Sequence, residues 1–369
     1  MTPKQRMLQA LHGSRLIPPP VVFHSWGDYK VEFSGYHPKF QYYLGGSELA
    51  EIEMKFYERF QPDWFHLGSA GWRGFWQRAR KTEGGRAFIS SADASHWIEI
   101  KDDYSLADYS DVPWWESSPI PKLESKSEID DYFAKITVSE QEILESGRFL
   151  HISILAQKYG DSVLIAINDG APGSWIHRWS FEDIAIACAE KPELVAYFIY
   201  KDCERFLADV RAAKTAGAHA YIFSEGFLGS LDNLSPSMHK RLELDTKRWF
   251  YTEVRKTGLL PIGYFLGDVR KNMRFINSID MAGLMIEEDK KTFTLDPVEI
   301  RQILKPEICL FGNIDSALLL RGTPSEIKVE VEKQLRAAEY GPFILANGSP
   351  LIPGTPPENL DAYLRAASR

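Results

Sequence analysis

Eight short apolar runs, each ending in turn or polar residues, alternate with helical stretches along the whole chain. They lie at 20–24, 63–67, 163–168, 218–224, 260–266, 281–286, 308–311 and 343–346. None shows strict polar alternation, as expected of strands buried on both faces. Helix starts between them are explicit. Thr323-Pro324-Ser325-Glu326 and Thr355-Pro356-Pro357-Glu358 read as capping boxes with proline in the first turn. Asp296-Pro297 and Ser235-Pro236 open two more helices. Strand and helix in alternation to a count of eight predict an α/β fold, a (β/α)8 TIM barrel, over residues 1–369 as one domain.

The segment 1–16 reads as an N-terminal helix, capped by Thr2, completed by Gln5 and stopped by Gly13. Residues 86–138 break the rhythm: a hairpin ("AFISS", "HWIEI") precedes a polar, proline-rich stretch. They predict an insertion after strand two, a lid over the barrel mouth.

A formal charge of −8 argues against nucleic-acid and membrane-surface roles, and no apolar stretch reaches bilayer length. The opening residues lack a signal peptide's apolar core. Cys188, Cys203 and Cys309 have no metal-type spacing and are too few for a disulfide framework, so a reduced, cytoplasmic setting is expected. Six of the 10 tryptophans fall between Trp26 and Trp114. They read as packing under long loops or as the wall of a pocket for a flat organic ligand.

In such a barrel, chemistry sits at the C-terminal strand ends. These ends offer His24, Ser25, Trp26 and Asp28; His66; Asn168 and Asp169; Ser224 and Glu225; Tyr264 and Asp268; Glu287, Glu288 and Asp289; Asn313 and Asp315; Asn347 and Ser349. His24 and His66, on adjacent strands, suit an acid/base pair, or a metal with Glu287 as third ligand. Glu287 directly follows an apolar run and is the carboxylate singled out among three. Tyr264 beside Asp268 can donate to a carbonyl or ether oxygen, or simply fill the interior. The catalytic candidates are therefore His24, His66, Tyr264, Asp268 and Glu287; the substrate-binding candidates are Trp26, Asp169, Arg178, Glu225, Asn313 and Ser349. "NDGAPGSW" at 168–175 is a glycine-rich turn without dinucleotide spacing, and no Walker loop or nucleophile elbow appears.

The opening "TPKQRMLQALHGS", the "GAPGS" turn, "SPSMHKRLELDTKRW", "GNIDSALLLRGTPSEI" and "NGSPLIPGTPPENL" together resemble the uroporphyrinogen decarboxylase superfamily over nearly the whole chain. That superfamily includes the heme-pathway decarboxylase and the cobamide-dependent methyltransferases acting on coenzyme M, chloromethane or methoxylated aromatics. In the methyltransferases the resemblance implies zinc on a His-x-Cys ending strand five and a Cys after strand eight. Here those positions are Tyr264-Phe265-Leu266 and Ser349, so the usual zinc site is not expected. In the decarboxylase it implies arginines after strand one, an aspartate at strand two, a tyrosine after the glycine-rich turn and a histidine at strand eight. Here stand His24 and Asp28, "HLGSAG", Arg178 and Ser349. Asp28 would repel a polyanionic tetrapyrrole.

The resemblance thus implies methyl or one-carbon transfer on a small organic substrate, with a corrinoid carried by a partner protein and no resident cofactor. It also implies a homodimer. The alternatives are a decarboxylase or lyase on a carboxylated substrate, tetrapyrroles included, with Arg73, Arg78, Arg80 and Arg178 as carboxylate binders, and a non-catalytic ligand-binding barrel.

Overall fold

Seven parallel strands form the central sheet, in the order 64–67, 164–168, 220–225, 260–265, 283–286, 309–311 and 343–344. They come from a computed structural model that describes residues 1–71, 73–111, 121–168, 170, 172, 179–225 and 230–367. The first apolar run closes the barrel. Val21 bridges Leu345 in parallel register. The N–H of Val22 donates to the carbonyl of Leu345, that of Leu345 to Pro20, and that of Asp63 to Val21. Strand one is thereby stitched to strand eight on one side and to the start of strand two on the other.

The period-two alternation of the strands sorts their side chains into two cores. Val22, Trp64, Leu164, Ala166, Ala220, Ile222, Ile262, Phe311, Ile344 and Ala346 fill the barrel interior. Their neighbours in sequence, among them Phe23, Phe65, Ile165, Ile167, Tyr221 and Phe223, face the surrounding helices. The N-terminal helix Pro3–Leu11, with the Thr2–Gln5 capping box the sequence predicts, adds Met7, Ala10 and Leu11 to the interior cluster. The Thr323–Glu326 box and the caps at Asp296 and Ser235 also form. Thr355 differs: its hydroxyl donates back to the Ile352 carbonyl, and the last helix spans Pro357–Ala367.

The predicted hairpin pairs with one further strand before it. Three antiparallel strands, Arg80–Glu83, Arg86–Ser90 and Trp97–Ile100, make a small sheet. Its buried face (Ala87, Ile89, Ile98, Ile100) packs on Val31, Phe40, Tyr43, Leu44 and Ile52, in the segment that follows strand one. The Tyr104 hydroxyl reaches Asp28 Oδ2 at 2.9 Å. By contrast the helix Lys126–Ile136 belongs to the outer layer, its Phe133 lying 5.0 Å from Phe198 of the long helix Pro192–Ala216. Residues 112–120 lie outside the described residues. No helix among the described residues is long and apolar enough to cross a membrane.

One buried cation holds the turn before strand seven. Arg301, 2% exposed, donates to the carbonyls of Leu304 (3.0 Å), Lys305 (2.5 Å) and Ile308. Replacing it by leucine would strand these acceptors in the interior. Arg301→Leu should therefore lower the unfolding free energy by about 3 kcal/mol, read from urea midpoints.

Candidate active site

His24 continues the inward row of Val22, and His66 that of Trp64, so both imidazoles enter the barrel at the C-terminal end. The rings stack with centroids 5.0 Å apart and planes at 26°. Tyr264, two residues beyond the inward-facing Ile262, meets His24 edge-on at 4.8 Å and 88°. Trp64 lies 4.9 Å below His66. None of the four imidazole nitrogens has a hydrogen-bond partner of good geometry among the described residues. For two histidines that are at most 1% exposed, this is unusual.

Burial keeps the cluster uncharged. Desolvation brings His24 down to about 4, although Gly348 and Glu288 pull the other way. His66 is held well below 6.5 by burial, then by His24 and Lys30. The Tyr264 hydroxyl is pushed far above its ordinary value by burial and by Glu287 and Glu288, with Ser349 opposing. At neutral pH the floor of the barrel thus offers two neutral imidazoles and a phenol.

Polar clamps position these rings. Asn347, fully buried, accepts the His24 N–H at 2.8 Å and donates to the His24 carbonyl at 3.0 Å and the Ser349 carbonyl at 2.6 Å. Lys30 on the helix Asp28–Phe33 is buried against Glu53 (2.7 and 2.9 Å) and donates to the His66 carbonyl at 2.7 Å. Neither Lys30 nor Glu53 stands out in the sequence, because each is buried only through the other.

After strand six the three carboxylates divide. Glu287 accepts the Gly267 N–H at 2.7 Å. Glu288 receives Lys290 at 2.5 Å on one oxygen, while its other oxygen is buried without a partner. Asp289 accepts the Leu295 N–H. Two glycines let neighbouring loops close in, Gly348 on the strand-six loop and Gly267 on the loop after strand four. At Gly267, φ +92°, a Cβ would stand 2.4 Å from Ser230 Oγ; at Gly348 it would stand 2.3 Å from the Glu288 nitrogen.

The other sequence-predicted residues are dispersed. Trp26 stacks obliquely 6.3 Å from Tyr42 at the end of strand one. Asp268 is tied to Arg270 (2.8 and 2.9 Å), whose guanidinium holds its carboxyl below the usual range. It does not join the phenol of Tyr264. Glu225 follows the outward-facing Phe223. It sits on the helix side of the sheet, with Lys247 at 2.6 Å and Tyr251 at 2.9 Å on its two oxygens. Asn313 donates to the carbonyls of Glu287 and Leu295, fixing the strand-six loop. The Ser349 carbonyl is held by Ser316 and Asn347, and its side chain is half-buried near Tyr264. Asp169 and Arg178 lie outside the described residues.

The metal set His24, His66 and Glu287 is not assembled: among the described residues no three His, Cys, Asp or Glu side chains converge as a metal would need. The family's zinc position does not fit zinc either. Tyr264, Leu266 and Ser349 supply no thiol or imidazole, and Cys188, Cys203 and Cys309 are buried elsewhere. Two arginines of the carboxylate-binding alternative are already engaged, Arg78 with Asp111 at 3.0 Å and Arg80 with Glu48 at 2.5 Å.

Residues 133–369 match the family model described as uroporphyrinogen decarboxylase (URO-D). The chain belongs to the uroporphyrinogen decarboxylase family. Among curated relatives, the uroporphyrinogen decarboxylase of Trichodesmium erythraeum is 26% identical over 177 residues, 48% of each chain. That of a Synechococcus strain (CC9605) is 35% identical over 86 residues, 23% of this chain and 24% of the relative. The matched stretches span about half the length of the relatives or less. Among solved structures, a methyltransferase from Methanosarcina mazei superposes with a TM-score of 0.74 at 18% identity. That match covers 100% of this chain and 98% of the other, so the two share a fold along their length.

Because His24 and His66 are protonated less readily in the folded than in the unfolded chain, acid favours unfolding. Stability present at neutral pH should be lost as pH falls from 6.5 toward 4. His24 alone contributes about 3 kcal/mol to that loss. Urea midpoints measured between pH 7 and 4.5 should fall less steeply in His24→Gln than in the parent chain.

Proposed function

We propose that this URO-D family member is an enzyme that removes a methyl or one-carbon group from a small organic molecule at the barrel mouth. A corrinoid carried by a partner protein would accept the group, and zinc would not take part in the usual way. The observation that carries this reading is the neutral His24–His66–Tyr264 cluster. Of these three, Tyr264 stands at a position where the family resemblance implies a zinc ligand, and His24 faces it edge-on from strand one. The fold shared along the full length with a methyltransferase is consistent with it.

The corrinoid, when docked, supplies the nucleophile for the methyl carbon. The tasks left to this chain are acid/base ones. As the carbon leaves, the electron pair of the broken bond stays on the substrate's oxygen, sulfur or nitrogen. A hydrogen bond or proton at that atom lowers the barrier. Tyr264 remains a phenol through burial and is an O–H donor at neutral pH. Neutral His24 and His66 each present one N–H and one lone pair, enough to orient the substrate without attracting an anion. Glu287, on the Gly267 N–H, keeps the strand-five and strand-six loops together beside them.

A carboxylate-removing reaction is favoured by the names of the curated relatives, and opposed by the Arg78 and Arg80 pairings and by the uncharged floor. The two are separable by assay. Added cob(I)alamin should be methylated, seen as loss of its absorbance, with a member of a panel of methyl ethers, thioethers and amines. Tyr264→Phe and His24→Gln should each cut that rate by 10²- to 10⁴-fold, in the range of about 10²–10⁴ for a lost acid/base group. Release of CO₂ from uroporphyrinogen III with no methylation would sink the methyl-transfer reading.

A further inference from the structure

The strand-six carboxylate that the site can use is Glu288. Its neighbour Glu287 spends one oxygen on the Gly267 N–H and has the other 3.5 Å from Lys290. Glu288 is 8% exposed and gives Oε1 to Lys290, leaving Oε2 buried and without a partner. That oxygen lies where Gly348 has no side chain: a Cβ there would stand 2.9 Å from it. Gly348 and Glu288 both act on the His24 ring, and Glu288 acts on Tyr264. Gly348 abuts Glu288 and directly follows Asn347, which holds the His24 backbone, and His66 stacks on His24, so Glu288 Oε2 and two imidazoles without hydrogen bonds of good geometry belong to one neighbourhood.

The charges there do not balance. One ammonium, Lys290, serves both Glu287 and Glu288. Among the described residues, three other cations near the strand ends are taken, Lys30 by Glu53, Arg270 by Asp268 and Lys247 by Glu225, while Lys291 is exposed to solvent. The neutral imidazoles bring no positive charge of their own. Such a cluster has acceptors to spare and an excess of negative charge, so an anionic head group would meet repulsion in a poorly solvated setting.

We propose that Glu288, with His24 and His66, is the recognition end of this site, taking a hydrogen-bond-donating head group that carries no negative charge and refusing carboxylates. This deepens the reading of the barrel mouth as a small-molecule site and rests on it. The unpartnered Oε2 accepts an N–H or O–H from the ligand, and the imidazole nitrogens take its remaining polar atoms. The stacked imidazoles and the Tyr264 ring make the surroundings aromatic, so ring-bearing probes are suitable.

Isothermal calorimetry on the full chain at pH 7.5 with benzylamine, phenol and benzoate isolates the head group, since the ring is common. Benzylamine and phenol should bind about tenfold or more tightly than benzoate, a ratio within reach of one buried polar mismatch. Glu288→Gln should bring benzylamine and benzoate to similar affinity. Lys290→Met, at a half-exposed side chain, should shift the ratio the other way. Thermal melts of both variants establish that they are folded. Benzoate binding as well as benzylamine, no binding of any probe, or an unchanged ratio in folded Glu288→Gln would each overturn the proposal. None of these readouts involves methyl transfer. A protein that discriminates the probes but never methylates cob(I)alamin would therefore refute the proposed reaction and leave the recognition role standing.

Discussion

Everything at the mouth of this barrel depends on how strand one is held. That strand makes a single ladder bridge, at Val21 and Leu345, and its C-terminal end is fixed by the Asn347 side chain together with the Leu351 N–H, which donates to the His24 carbonyl. Asn347 pairs with both backbone groups of His24 as another strand would, and extends the grip to Ser349. At the other end the Asp63 carboxylate accepts the Val21 N–H at 2.7 Å, and Arg6 approaches the same carboxylate at 3.4 Å. An amide is well suited to the upper position. It satisfies a donor and an acceptor at once, brings no charge into the interior and fixes the height of the His24 ring above the packed core. Without that closure His24 would have no set relation to His66, and the stacked pair would not exist.

Charge is partitioned by the two faces of the sheet. Ion pairs cluster outside the barrel wall or in the loops: Glu225 with Lys247, Lys30 with Glu53, Asp268 with Arg270. Inside, polarity is carried by neutral groups. The arrangement follows from cost, since an ion buried without a counter-ion loses far more hydration than an imidazole does. The buried pairs are not idle. Lys30 holds the His66 carbonyl, and the Glu225 pair ties the helix Leu244–Lys256 to strand four. Ionic contacts around the wall therefore orient uncharged groups within it.

The sequence made much of this legible, for definite reasons. Strands buried on both faces leave apolar runs, so all eight could be placed, and the His24–His66 encounter follows from adjacent strands with the same inward parity. The hairpin in the insertion was readable; its partner Arg80–Glu83 was not, since "RKTE" is a polar edge strand with half-exposed or exposed side chains. Glu225 and Glu288 show the limit. Whether a residue at a strand end faces inward or outward changes with a one-residue shift, and apolar runs do not fix their last residue to that accuracy. Glu225 falls on the helix side, and Glu288, rather than Glu287, keeps a free oxygen. Lys30 and Glu53 were invisible for another reason: a charged residue looks solvated until its partner is found in three dimensions.

Glycines hold the loops above the barrel close to one another. Gly267 at positive φ lets the loop after strand four approach that after strand five, and the side-chain-free Gly348 lets the strand-six loop approach that after strand eight. A frame that tight is useful only if something must be held between its loops. In this chain, what stands there is a phenol, two imidazoles that decline protons, and a carboxylate oxygen without a donor. Such groups are poor at gathering a metal together and good at hydrogen bonding. The proposed ligand site accords with this, because polar atoms left without good partners in so dry a place can be satisfied by a ligand that hydrogen-bonds to them.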